Sequence, residues 1–268
     1  MGANTKQLRT RIKSVTSTLH LTKAMGLVAS SKIRRAADAM NKSRQYAAAV
    51  TDVMAVLAAS SDCAKSPYLA KRDGDRVRLI VIAGDRGLAG GYNANVFRLI
   101  ATLPKAEYIP IGKRACERFG QPINSSEDFS SLDAHALART LCDEFANGEF
   151  DRLGIVCTAY ESMMTQSAEV RWVLPFERDT EAVGTAGMIF EPDEQTILPI
   201  AVPEYVAGTV MAAVRESFLS EVTARRMAMD SAGKNATEMI DELQLQYNRA
   251  RQGAITQEIT EIVAGSGG

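Results

Sequence analysis

All eight prolines of this 268-residue chain lie between Pro67 and Pro203. The 66 residues before them and the 65 after them contain none. An interior proline removes a helix hydrogen bond and clashes with the preceding turn, so both ends of the chain are free to form uninterrupted helix. Both ends also carry helical apolar spacing. The first has Leu8, Ile12, Val15 and Leu19, then Met25, Val28, Ile33, Ala36 and Met40. The last has Ile240, Leu243, Tyr247, Ala250 and Ala254, followed by Ile255, Ile259 and Ile262. Steps of three and four mark an amphipathic stripe, and their alternation is the heptad pattern of a left-handed supercoil.

A single helix over residues 4–58 would be about 80 Å long at ~1.5 Å per residue. Helices of this length are usually coiled coils, spans or repeats, which argues against two ordinary bundle members packed on the middle of the chain. The reading is therefore a long antiparallel coiled coil of residues 1–60 with 200–268. Small residues at Ala29, Ala36, Ala37, Ala232, Ala236 and Ala250 would let the axes approach closely.

The middle, residues 75–175, reads as α/β. Val77–Ala83 is a buried-strand run followed by a glycine-rich turn. Residues 92–103 read as helix, 108–111 as a short strand and 133–147 as an amphipathic helix. Residues 153–159 and 168–174 read as two further strands, joined by a turn near 163–166. Alternating strands and helices predict a mainly parallel sheet, Rossmann-like, with the last strand antiparallel. Residues 60–76 and 175–200 hold Pro, Gly, Asp and Glu and read as the connections to the helical pair.

The net charge of −1 conceals a strong polarity. Residues 1–50 hold ten Lys and Arg (Lys6, Arg9, Arg11, Lys13, Lys23, Lys32, Arg34, Arg35, Lys42, Arg44) against Asp38 alone, and the remainder is acidic. A helix this basic seeks an acidic protein, nucleic acid or membrane surface. An Arg- and Ser/Thr-rich, acid-poor start also fits a transit peptide, but the basic pattern runs past residue 40 with its apolar spacing intact. No run reaches the roughly 18 apolar residues of a membrane span. The cysteines Cys63, Cys116, Cys142 and Cys157 form no C-x-x-C pair, and with only His20 and His135 beside them no structural metal is expected.

The sequence Gly84-Asp-Arg-Gly-Leu-Ala-Gly-Gly-Tyr-Asn93 occupies the place of a phosphate loop, after a strand and before a helix. Its glycine spacing matches neither the dinucleotide fingerprint nor the P-loop, and no lysine reaches a phosphate. It reads as a sharp exposed turn, with nucleotide binding by the turn at Gly84–Gly91 the weaker reading. Catalytic residues are not expected, because neither histidine stands beside a nucleophile. Carboxylates of the C-terminal helix are spread as on a solvated face. Nucleic-acid binding by a basic coiled coil is the alternative, weakened by the absence of any aromatic residue before Tyr46.

Three separated blocks, in order, resemble the gamma subunit of F-type ATP synthases. They are residues 13–18 with 21–32; the turn 84–93; and a C-terminal set of Ser220-Glu221, Ala224-Arg225, Ala228–Ala232, Asn235-Ala236, Asn248–Gln252 and Ile255–Val263. Departures occur at Gly84, Ala89, Arg226 and Gly233-Lys234, and an insertion of the chloroplast kind is lacking.

The resemblance implies a rotor shaft that is itself non-catalytic and carries no cofactor or metal. It implies one copy per complex, on the cytoplasmic face of the cell membrane and peripheral to it, coupling proton flow to ATP synthesis. Its partners would be the beta and alpha subunits of the ring, the epsilon/delta stalk subunit and the c-ring, with neither nucleic acid nor membrane insertion. Partner contacts implied by the family pattern are Lys23, Met25, Asp85, Arg86 and Gly87, near acidic loops of the catalytic subunits. At the far end they are Arg251 and Gln252 as catch contacts, with Thr256, Gln257, Glu258 and Glu261 on the tip. The plainer reading of Arg251 and Gln252 is a solvated helix face.

Overall fold

A computed structural model describes residues 2–72, 74–120, 125–177 and 188–265, with side chains from residue 5 onward. Helix α1 (Gly2–Ala59) is followed by β1 (Val77–Ile82), α2 (Tyr92–Thr102), β2 (Glu107–Ile111), α3 (Lys113–Phe119) and α4 (Ser131–Ala146). Strands β3 (Arg152–Tyr160) and β4 (Gln166–Leu174) and helix α5 (Glu194–Gly265) complete the order. Two compact units result: Met1–Ser30 with Arg225–Gly268, and Ser31–Ala224.

In the first unit the ends of α1 and α5 run antiparallel, with Gly26 against Met229 and Gly233 against Thr22 and Leu19. Thr22 and Ala29 are buried seven residues apart, and so are Met229, Ala236 and Leu243, which is the heptad seam of a coiled coil. The predicted stripe needs one correction. Val28 is 56% exposed, whereas Thr22 and Gly26 continue the three-four alternation from Leu19 to Ala29. Where axes come close, the small residues face the partner helix and a bulky apolar residue is turned outward. The departure residue Arg226 donates to Ser30 Oγ across this pair.

A second correction concerns the far end of α5. Continuing the antiparallel register brings the start of α1 opposite residues near 253, so α5 runs on beyond the end of its partner. Ile255, Ile259 and Ile262, which extend the apolar spacing of the seam in the sequence and form its mildly apolar tip, are 43%, 56% and 70% exposed.

The second unit is a three-layer α/β body. Its sheet has the order β2-β1-β3-β4, with β1 parallel to both β2 and β3, and β4 antiparallel to β3. This bears out the Rossmann-like expectation, down to the antiparallel last strand. Side chains alternate as a doubly covered sheet requires. Ile80, Ile82, Leu153 and Ile155 face one core, with Met54 and Leu57 of α1, Leu141 and Phe145 of α4, and Val202, Val206 and Val210 of α5. Leu79, Val81 and Val156 face the other, with Val96 and Ile100 of α2 and Ala115 of α3. Helix α4 starts in a capping box, with Ser130 Oγ accepting from Asp133 N while the Asp133 carboxylate accepts from Ser130 N. The short helix α3, between β2 and α4, was not read from the sequence.

Helix α5 begins earlier than expected and includes Pro199 and Pro203, which the sequence reading used as boundary markers. Both prolines lie in its first turns, where Leu198 and Val202 are buried in the main core. Tertiary burial outweighs the lost backbone bonds there. An 18-residue window of α5 also meets the length and composition of a membrane span, against the expectation of none, although more than half of it is buried inside the protein.

The carboxylates of α5 do not all form a solvated face: Glu216 and Glu221 are each only 2% exposed. Strand β1 pairs with β3 only as far as Val156, leaving the last four residues of β3 without that neighbour. Helix α5 takes the place of the missing strand. Tyr160 N donates to Glu216 Oε1 (2.9 Å), Thr158 N donates to Ser217 Oγ (3.1 Å), and Ser220 Oγ donates to Thr158 O (3.4 Å). Buried backbone groups need such partners, and these polar side chains supply them.

Candidate interaction surface

The glycine-rich turn after β1 is held from three directions. Ala83 N donates to Ile111 O, Arg114 N to Gly84 O, and Gly84 N to Asn93 Oδ1 at 2.9 Å. One glycine here is required by space. A Cβ on Gly112, at φ +93°, would lie 1.9 Å from Ala83 O, whereas one on Gly84 would meet the Glu221 side chain at 2.6 Å, which would have to shift. A side chain at Gly112 would force the turn away from the sheet.

Asp85 is half-buried and directed into the protein. Its Oδ1 accepts from Lys113 N and Ser126 N, both at 3.0 Å. Its Oδ2 accepts from Ser125 Oγ at 2.6 Å and Glu127 N at 3.1 Å. Burial opposes ionisation, but the bonds from Ser125 and the amides of Ser126, Lys113 and Glu127 outweigh it and hold the carboxyl below its usual range. The carboxylate therefore ties the turn after β1 to the start of α3 and to the 125–127 segment.

Beyond Asp85 the turn points outward. Arg86 is exposed and Gly87 half-exposed, and Leu88, 64% exposed, sits at φ 61°. Leucine seldom adopts a left-handed conformation, and such strain gathers at functional positions. Leu88 is an apolar contact candidate that sequence reasoning missed. Its signal was a bulky residue between Gly87 and Gly90-Gly91.

On the first unit, Lys23 is exposed and Met25 half-buried. Leu21 (60%), Leu27 (72%) and Val28 (56%) are exposed on α1. At 3.6 residues per turn, Leu21 and Val28 share one flank of the seam, and Lys23 and Leu27 share the other. The exposed apolar pair Leu21 and Val28 was also missed, because the sequence reading assigned Val28 to the seam. A shallow groove of about 260 Å³ lies alongside, lined by Thr22, Lys23, Gly26, Leu27, Arg226, Met229 and Asp230.

The remaining candidates lie toward the far end of α5, Arg251 and Gln252 level with the start of α1 and the others beyond it. Arg251, Gln252, Thr256, Gln257, Glu258 and Glu261 are all exposed. Gln257 Nε2 donates to Glu261 Oε1 at 2.8 Å, and Thr256 Oγ1 donates to Gln252 O at 3.0 Å. Along the helical pair, Lys23 faces residues near 232, so Arg251 lies about 30 Å farther along at ~1.5 Å per residue. The structure thus separates the Lys23–Met25 group from the Arg251–Glu261 group within one unit. The Asp85–Gly87 turn belongs to the other unit.

Among the described residues, no group of His, Cys, Asp and Glu is placed to hold a metal ion, and the four cysteines are buried thiols. These surfaces are suited to binding other proteins, through exposed apolar and charged residues.

Comparison with known proteins agrees across the whole length. The sequence model of the ATP synthase family matches residues 4–267. The ATP synthase gamma chain of Ruminococcus albus is 40% identical, with 98% of each chain covered. That of Desulforamulus reducens is 38% identical, again with 98% of each covered. A sodium-ion-specific gamma chain from Acetobacterium woodii is 35% identical, with 99% of each covered. In fold, the chain resembles a subunit of the Euglena gracilis mitochondrial ATP synthase solved as OSCP/F1/c-ring, with a TM-score of 0.69 at 19% identity and 99% and 94% coverage. It also resembles a chain of the Tetrahymena thermophila central stalk and c-ring, with a TM-score of 0.60 at 20% identity and 79% and 99% coverage. With the heptad-paired ends, the inserted Rossmann-like layer and this full-length similarity together, the chain belongs to the gamma-chain family of ATP synthases.

Proposed function

We propose that the chain is the central rotor shaft of an F-type ATP synthase, coupling transmembrane proton flow to ATP synthesis in a surrounding ring of alpha and beta subunits. The observation that carries this reading is the bare end of α5. Ile255, Ile259, Ile262 and Val263 are exposed on a helix that has outrun its partner. An apolar single-helix tip needs a sleeve, and a ring of subunits provides one that it can turn within.

A lone shaft inside a three-fold ring touches each catalytic subunit differently. Differential contact free energies of a few kcal/mol shift each site toward a different conformation. Turning the shaft passes those preferences around the ring, and by linkage hydrolysis in the ring turns the shaft. ATP chemistry belongs to the ring, and this chain is non-catalytic. Lys23, Met25 and the outward side of the Asp85–Gly87 turn are the contacts offered to acidic loops. Arg251, Gln252, Thr256, Gln257, Glu258 and Glu261 are the angle-dependent contacts near the tip. The α/β layer engages the epsilon/delta stalk subunit and the c-ring, which places one copy at the cytoplasmic face of the membrane without insertion. Family membership leaves the nucleic-acid reading of the basic helix without support.

The test is reconstitution of the ring and membrane sector with and without this chain. Coupled, inhibitor-sensitive ATP synthesis should require it in single copy. Full coupling in its absence would overturn the proposal.

A further inference from the structure

Helix α5 is buried on nearly all sides as it crosses the sheet, with Val202, Val206, Val210, Ala213 and Val214 in the core. Apolar burial is non-directional, and hydrogen bonds add direction to it. Glu204 is bonded to Tyr46 and His135, and Arg215 donates to Glu127 O and Phe129 O, while the bonds from α5 to the sheet are concentrated at one place. Glu216 accepts from Arg44 Nη2 of α1 (2.6 Å), Arg171 Nη1 of β4 (2.8 Å) and Tyr160 N of β3 (2.9 Å). Arg44 also donates to Tyr160 O, and Arg171 Nε donates to Glu169 Oε1 at 2.6 Å. With Ser217 and Ser220 on Thr158, one face of α5 is fastened to alternate residues of a strand edge.

We infer that Glu216 is a positioning residue, whose carboxylate fixes the rotational angle and register of α5 on the sheet so that torque carried by α5 enters the α/β layer without slip. The inference rests on the rotor reading above.

Stability alone does not account for the arrangement. A buried ion pair is often replaceable by well-packed apolar side chains without loss, and fixing register is its best-attested use. Shifting α5 by one residue would rotate Glu216 by about 100° and strip Tyr160 N, Arg44 and Arg171 of their partner together. Burial opposes ionisation of Glu216, but Arg171, the Tyr160 amide and Arg44 outweigh it and hold the carboxyl below its usual range. The clamp is therefore charged at neutral pH. It joins α1, α5, β3 and β4, so it ties both long helices to the sheet.

The test uses the complete ATP synthase in sealed vesicles, carrying the unchanged chain, E216Q or R44M. R44M is the milder variant, since it leaves the Arg171 and Tyr160 bonds to Glu216 intact. Hydrolysis without an opposing gradient, the gradient sustained at rising membrane potential, and urea unfolding of the isolated chain are measured together. Both variants should hydrolyse ATP at the normal rate when unopposed yet sustain a smaller gradient, with hydrolysis continuing after pumping stalls. A gradient equal to that of the unchanged chain overturns the inference, as does a loss matched in proportion by hydrolysis. If E216Q does not assemble, R44M decides by the same readouts. Failure of the unchanged chain itself to couple would instead strike the rotor reading.

Discussion

Replacing Asp85 with Ala separates a bond that holds the turn from a contact made with a partner. The substitution leaves the amides of Lys113, Ser126 and Glu127 and the Ser125 hydroxyl without their acceptor. A donor stranded in a buried setting costs about 1–3 kcal/mol, and partial solvent access puts each of these near the low end. The expected loss is about 4 kcal/mol, which for a domain of this size lowers the melting temperature by roughly 8–16 °C. Trp172, the single tryptophan, lies on β4 in the same unit and reports its unfolding by fluorescence. The pH dependence follows from the depressed carboxyl. Asp85 contributes fully above its unfolded value, near about 4, and loses that contribution as pH falls through its lower folded value. The gap between the unchanged chain and the variant should therefore be widest at neutral pH and close in acid. An isolated variant that melts with the unchanged chain while failing to couple in the complex would refute this account of Asp85.

Leu243→Pro should cost ~3 kcal/mol or more, because the position is a buried seam site inside α5. Circular dichroism should show lost helix, and normal assembly of the variant would contradict the continuous helix. Met25→Lys adds charge beside the exposed strip of α1, so the ratio of pumping to hydrolysis should fall; an unchanged ratio would remove Met25 from the contact set. His135 has an oxygen at each ring nitrogen, Ser131 O at 2.6 Å and Glu204 Oε2 at 2.9 Å, and Glu204 also accepts from Tyr46. The Ser131 carbonyl and Glu204 raise its pKa, against burial and the neighbouring Arg139. The link between α4 and α5 is thus complete below the unfolded histidine value and lost as pH rises through the higher folded one. NMR titration should show Glu204→Gln lowering the His135 pKa, and an unmoved titration would count against the pair.

What could be read from the chain alone was whatever periodicity and turn chemistry encode locally. Proline-free ends with three-four spacing gave two long helices, and alternating apolar runs gave a parallel sheet ending in an antiparallel strand. The spaced blocks around 13–32, 84–93 and 220–263 pointed to the family. These are properties of neighbouring residues, so they needed no knowledge of the fold.

Tertiary structure decided which side of each pattern faced what. Thr22 and Gly26 lie in the seam while Val28 faces outward, because close axes favour small residues over bulky apolar ones. The isoleucines beyond Ile255 continue the periodic pattern, but α5 has by then run past its partner, a difference in length that no local window contains. Prolines 199 and 203 were absorbed into α5 because core burial there exceeds the lost hydrogen bonds. Glu216 looked like a surface carboxylate until Arg44, Arg171 and the open edge of β3 came together around it from positions 172, 45 and 56 residues away. Charge compensation over such separations exists only in three dimensions, so the sequence could specify the helix but not the clamp that holds it.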